Sequence, residues 1–157
     1  LLQSAIPVLL VITGWIAFSI LVSWMSGWRS LAKVYETHQP LPTERFRPAI
    51  ASMRWGVKYH SLLVIGANVE GLYISTSFLM RPGHPPLLVP WQDISAAREN
   101  QYWLKLVRLR FRKNKSTYLM VNMKSAERLS GASGLQFQIP SRQETALFNT
   151  QEENLHH

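Results

Sequence analysis

The chain has no cysteine, which excludes disulfides, thiolate catalysis and cysteine-ligated zinc or iron–sulfur sites. Its first 28 residues, Leu1 to Trp28, contain no Asp, Glu, Lys, Arg or His. All 17 Lys and Arg and all nine Asp and Glu therefore fall in residues 29–157. H-E-x-x-H, G-x-S-x-G and G-x-x-x-x-G-K-[ST] patterns are absent, and no two carboxylates stand out as an acid–base pair. His38, His60 and His84 are scattered, and His156-His157 read as a chain end or tag remnant, not a metal site. No catalytic residue, metal ligand or cofactor is expected. An internal repeat and a low-complexity tract are also missing.

What fills the uncharged segment is apolar. A helix rises about 1.5 Å per residue and the hydrocarbon core of a bilayer is about 30 Å thick, so roughly 20 apolar residues span it. Ala5 to Trp24 meets that length, with polar atoms only from Thr13, Ser19, Ser23 and two indoles. Pro7 lies near the expected helix start, where its missing N–H costs nothing. A secretory signal would show a basic start, a shorter apolar core and a small-residue cleavage site, and none is seen. A soluble helix apolar on every face would need a large protein around it, which 129 further residues do not supply. Residues 1–28 are therefore expected to form a transmembrane helix. Because the chain opens on Leu, a few residues are expected before it.

Flanking charge sets the expected orientation. Arg29, Lys33, Arg45 and Arg47 follow within about 20 residues of the span, the window in which basic residues mark the cytoplasmic side. The expected location is a cytoplasmic (inner) membrane, with the N-terminus outside and the C-terminal domain cytoplasmic. Trp24, Trp28, Arg29 and Lys33 are the expected interfacial anchors. Ser19, Ser23 and Gly27 recur every four residues, a small-residue face expected to receive another helix. With no charge in the span, an ion or proton pathway through this chain is not expected.

The formal net charge of +8 lies wholly outside the membrane and calls for an acidic partner, first of all anionic headgroups; nucleic acid is not expected. Residues 29–54 read as a juxtamembrane helix followed by a proline-rich connector. Trp28, Leu31, Ala32 and Tyr35 form an apolar stripe that either meets headgroups or a partner, or simply ends the span. Pro40, Pro42 and Pro48 rule out helix beyond it. From 55 to 140 the texture is of short strands: Ser61–Gly66, Gly71–Leu79, Leu87–Trp91, Ile94–Arg98, Tyr102–Arg112, Ser116–Met123 and Leu135–Ile139. Helices are expected at Ser125–Ser130 and Arg142–Asn149, the latter in a tail of residues 141–157. The fold class is one N-terminal transmembrane α-helix plus a mainly-β small antiparallel barrel or sandwich with a short C-terminal helix. Trp91, Asp93 and Ile94 are expected to do structural work, and Arg81-Pro-Gly-His-Pro-Pro86 to reverse the chain or serve as an epitope.

Alternation places Arg108, Arg110 and Arg112 on one strand face and Val107, Leu109 and Phe111 on the other. With Lys105, Lys113 and Lys115 they make six cations and no carboxylate in residues 105–115. Two readings stay open: a ridge that binds lipid phosphates or an acidic subunit, or a solvated strand face whose charges protect an edge.

The run Glu70-Gly-Leu-Tyr-Ile-Ser, then Pro85-Pro-Leu-Leu-Val-Pro-Trp-Gln-Asp-Ile94, then an alternating strand, resembles bacterial pleckstrin-homology-like and GRAM-like domains. The resemblance covers roughly residues 55–140 and implies further strands with a closing helix, which Gly131 and Gly134 shorten here. Lys105, Arg108 and Arg110 loosely match the lipid-binding Lys-x(n)-Lys/Arg-x-Arg pattern of some such domains. They lie late in the domain, not on its first hairpin, which argues against a specific phosphoinositide pocket. The functional expectation is a non-enzymatic accessory or scaffold subunit of a larger membrane complex, with other membrane subunits as partners. The alternative is a membrane-anchored module reading anionic headgroups through the basic strand; an enzyme or enzyme regulator is a third reading.

Overall fold

A computed structural model of the chain describes residues 2–155 except His60 and Tyr102, so His60, the expected strand start at Tyr102 and the terminal His156-His157 lie outside the described residues. The apolar segment is one helix, α1 (Leu2–Met25), whose stretch Ala5–Met25 has a mean hydropathy of 2.4. By length and composition it is able to cross a membrane. Ser26 and Gly27, the latter at φ 79°, turn the chain into α2 (Trp28–Tyr35).

Among the described residues nine strands follow: β1 (Arg45–Phe46), β2 (Ala51–Met53), β3 (Val57–Lys58), β4 (Leu63–Ala67), β5 (Gly71–Thr76), β6 (Leu87–Pro90), β7 (Ile94–Gln101), β8 (Leu104–Phe111) and β9 (Asn114–Asn122). They form two antiparallel sheets, ordered β1-β4-β5-β6 and β3-β2-β9-β8-β7. Helix α3 (Met123–Ala132) and helix α4 (Arg142–Leu155) complete the chain. The core lies between the sheets, where Leu63, Ile65, Ile74 and Leu87 face Val107, Leu109, Phe111 and Leu119, all fully buried. Helix α3 adds Ala126 and Leu129 against β4, β8 and β9.

Helix α2 packs on β6 and β9, and its stripe Trp28, Leu31, Ala32 and Tyr35 is buried in the same core. The stripe is thus domain interior, neither a headgroup contact nor a stalk. Strands β1 and β2 precede residue 55, so the expected connector contributes members to both sheets.

Two expected strands end differently. The strand from Gly71 stops at Thr76, whose partner Leu63 begins β4; one more backbone bond, from the Ser77 N–H to the Leu62 carbonyl at 2.7 Å, precedes a single turn at Phe78–Met80. Leu135–Ile139 is not a strand. Leu135 takes φ 72°, Ser133 Oγ accepts the Phe137 N–H at 3.1 Å, and Ser130 Oγ donates to the Phe137 carbonyl at 2.9 Å. The segment is held as a loop that stacks Phe137 on Trp91 at 5.3 Å.

Candidate membrane-facing site

The β5–β6 connection, residues 77–86, lies along the C-terminal half of α1. Trp15, Ser19 and Ser23 sit four residues apart and so share a helix face. Trp15 Nε1 donates to the Leu79 carbonyl at 2.7 Å, Ser19 Oγ lies 2.7 Å from the Pro82 carbonyl and 3.3 Å from that of Met80, and Ser23 Oγ donates to the Gly83 carbonyl. Beyond the end of α1, Trp28 Nε1 donates to the Pro85 carbonyl at 2.9 Å. Gly83 permits the approach: a Cβ there would lie 3.2 Å from the Ile20 backbone.

This contact reassigns several expected residues. Ser19 and Ser23 are buried by the chain's own loop, and Gly27 by Thr117, so the small-residue face expected to receive another helix already has its neighbour. Trp28 is fully buried, with its ring edge-on to His84 at 5.0 Å, and cannot serve as an interfacial anchor. Trp24 is 72% exposed, and Arg29 and Lys33 are exposed as well.

Under the loop is a small polar network. The Tyr59 hydroxyl donates to Ser26 Oγ at 2.7 Å and lies 3.2 Å from His84 Nε2. His84 Nδ1 is 3.3 Å from the Pro82 carbonyl, which can only accept, so the geometry assigns Nδ1 the proton. Burial pushes the Tyr59 hydroxyl up to about 12 and holds the His84 imidazole below its ordinary value, partly offset by the Pro82 and Met80 backbone.

The basic strand has the expected faces, with Val107, Leu109 and Phe111 fully buried and the arginines turned away from the core. Its cations do not act together, however. Arg108 pairs with Glu99 of β7 at 2.7 Å and lies over the Tyr118 ring at 4.7 Å. Asp93, 1% exposed, draws Arg112 to 2.9 Å and Lys113 to 3.4 Å, the former as an ion pair lacking hydrogen-bond alignment. Asp93 also lies 3.3 Å from the Tyr35 hydroxyl, which ties the β8–β9 turn to α2. Arg110 stands opposite Ser95 and Tyr118. Lys105 faces a separate hollow of about 310 Å³, shared with Arg98, Arg142 and Thr145, and Lys115 is exposed at the start of β9.

A second group of cations was not expected as a site. Arg45, Arg47 and Arg81 line a cleft of about 540 Å³ together with Leu41, Val64, Thr76, Ser77 and Phe78. In the sequence Arg45 and Arg47 read only as basic residues flanking the apolar helix, and Arg81 lies more than thirty residues from either. No local pattern links them; only the pairing of β1 with β4 and β4 with β5 does. Among the described residues, no group of three or more His, Asp or Glu is placed to hold a metal ion.

Compared with protein families, with curated proteins and with solved structures, the chain matches none. What the geometry defines is a class: one long apolar helix docked along a loop of a two-sheet, mainly-β domain.

Proposed function

We propose that this is a non-enzymatic, single-pass membrane protein whose pleckstrin-homology-like domain is held against the cytoplasmic face of the bilayer and reads anionic headgroups there. The observation that carries the reading is the loop along α1. Within lipid, an unpaired backbone group costs several kcal/mol, so only backbone with internal partners is tolerated. This loop meets that condition at most of its carbonyls. The carbonyls of Leu79, Pro82, Gly83 and Pro85 accept from α1 and Trp28, and Phe78 and Arg81 carbonyls accept from Arg81 and His84 amides. Pro82, Pro85 and Pro86 carry no N–H to satisfy. At the loop's tip Phe78 is 81% and Leu79 59% exposed, apolar surface that suits acyl chains better than water. Ser19 stands six residues before Met25, so the loop reaches at least about 9 Å down the span.

The absence of cysteine makes the test clean. Phe78→Cys and Gln92→Cys variants of the full chain, labelled with an environment-sensitive fluorophore in liposomes, are exposed to spin-labelled lipid. Strong quenching at 78 and little at 92 is expected. Equal, weak quenching at both would overturn the reading.

The accessory-subunit reading has one observation of its own. Val69, in the β4–β5 turn, and Leu135 are 67% and 80% exposed, and Gly134 brings the two segments together. They lie at the end of β5 away from the α1-bound loop, about 17 Å off at 3.4 Å per residue, where a protein partner and not lipid would cover them. Gentle detergent extraction from native membranes tests it: a large co-migrating assembly that Leu135→Asp dissolves is expected on this reading, and a monomer in both cases counts against it.

A further inference from the structure

We infer that the cleft between β1, the end of β5 and the α1-bound loop is a binding site for the phosphate of an anionic phospholipid. The inference rests on the reading that the domain lies on the bilayer, and it moves headgroup recognition from the basic strand to this cleft. Three features select the ligand. First, Arg45, Arg47 and Arg81 all line the cleft, and among the described residues none has a carboxylate partner, unlike Arg108, Arg112 and Lys113. Guanidinium groups suit phosphate oxygens by presenting paired donors. Second, Thr76 is 5% exposed, lines the cleft, and its Oγ1 is buried with no hydrogen-bond partner. A buried hydroxyl left unmatched is costly, and a phosphate oxygen would accept from it. Third, the walls are mixed. Leu41, Val64 and the exposed Phe78 border the cations, and Arg81 directly precedes Pro82, whose carbonyl is bound to Ser19 within the span. A free anion has no use for the apolar wall. A phospholipid, with its phosphate among the arginines and its chains along Phe78 and α1, uses both. Its volume of about 540 Å³ exceeds what a bare phosphate fills.

The experiment uses the full chain in nanodiscs of phosphatidylcholine with a minority of phosphatidylglycerol, then gentle detergent release and native mass spectrometry. One retained phosphatidylglycerol per chain is expected, in preference to phosphatidylcholine. The R45Q/R47Q/R81Q variant should weaken retention by roughly a hundredfold, from the usual contribution of three cations near an anionic surface. Thr76→Val should weaken it severalfold, and Lys113→Gln with Lys115→Gln should leave it unchanged. Should the triple variant melt early, Arg47→Gln alone, at an exposed position, carries the test. Retention unaffected by the cleft variants, or equal retention of phosphatidylcholine, would overturn the inference. Displacement of the lipid by millimolar inorganic phosphate would assign the site to a free anion and overturn it likewise. Quenching at position 78 separates the two proposals: quenched label with cleft-independent retention removes only the cleft, whereas an unquenched label removes the membrane-bound domain beneath it.

Discussion

Gly27 is the point where the apolar helix becomes the domain, and both its backbone and its neighbours exclude a side chain. Its φ of 79° is left-handed, and a Cβ there would sit 2.5 Å from Thr117 Oγ1. Gly27→Ala should therefore destabilise the protein by about 2–4 kcal/mol, from left-handed strain plus overpacking; thermal melts in detergent would measure it. His84 makes a second prediction at this scale. Its pKa is held below 6.5 by burial beside Trp28 and Tyr59, so the folded chain keeps it neutral while the unfolded chain binds a proton. The stability it contributes is complete above the ordinary histidine value and is lost as pH falls below about 6.5 toward the depressed value. The difference in melting temperature between wild type and His84→Gln should shrink over that interval. A constant difference would rule the linkage out.

Among the elements, the pairing of α1 with the β5–β6 loop is the one a sequence reading divides between two unrelated features. Ser19 and Ser23 read as a face for another helix, and Arg81-Pro-Gly-His-Pro-Pro86 as a chain reversal; each is the other's partner. Replacing both serines by Ala leaves the Gly83 carbonyl without its donor and the Pro82 carbonyl with only the longer bond from His84 Nδ1, at about 1–3 kcal/mol for each buried group left unmatched. Hydrogen exchange at the Met80, Arg81 and His84 amides should then accelerate, while exchange in β8 and β9 stays unchanged. The faces of β8 were legible because alternation over Val107 to Arg112 needs no tertiary knowledge. The neutralisation of its cations was not, since Glu99 and Asp93 meet them only through the β7–β8 register. Strands β1, β2 and β3 went unread because two or three residues carry no periodicity. Leu135-Gln-Phe-Gln-Ile139 shows the opposite failure: an alternating pattern with no strand to pair with, captured by Ser130 and Ser133.

At the scale of the whole molecule, helix and domain share one core. Trp28, Leu31 and Tyr35 are 0%, 0% and 4% exposed, and burying each contributes about 1.5–3 kcal/mol. Their sum is comparable with the entire stability of a typical domain, about 5–15 kcal/mol. A soluble fragment beginning at Thr37 should accordingly lack a cooperative unfolding transition, while one beginning at Ser26 should melt cooperatively. Circular dichroism on the two fragments decides it, and a cooperative transition in the shorter one would show α2 to be dispensable. Because α2 is anchored in the core and the loop is anchored on α1, the domain's orientation relative to α1 follows from packing and not from a free linker.

The sequence by itself determined the apolar helix, the stripe on α2 and the two-faced strands, because each depends on local period and composition. The partners those surfaces take were decided by tertiary structure alone. The small-residue face met its own loop, the basic strand met Asp93 and Glu99, and Arg81 met the distant Arg45 and Arg47 in one cleft. Which surface covers which depends on sheet register and strand order, and these connect residues whose separation leaves no local trace.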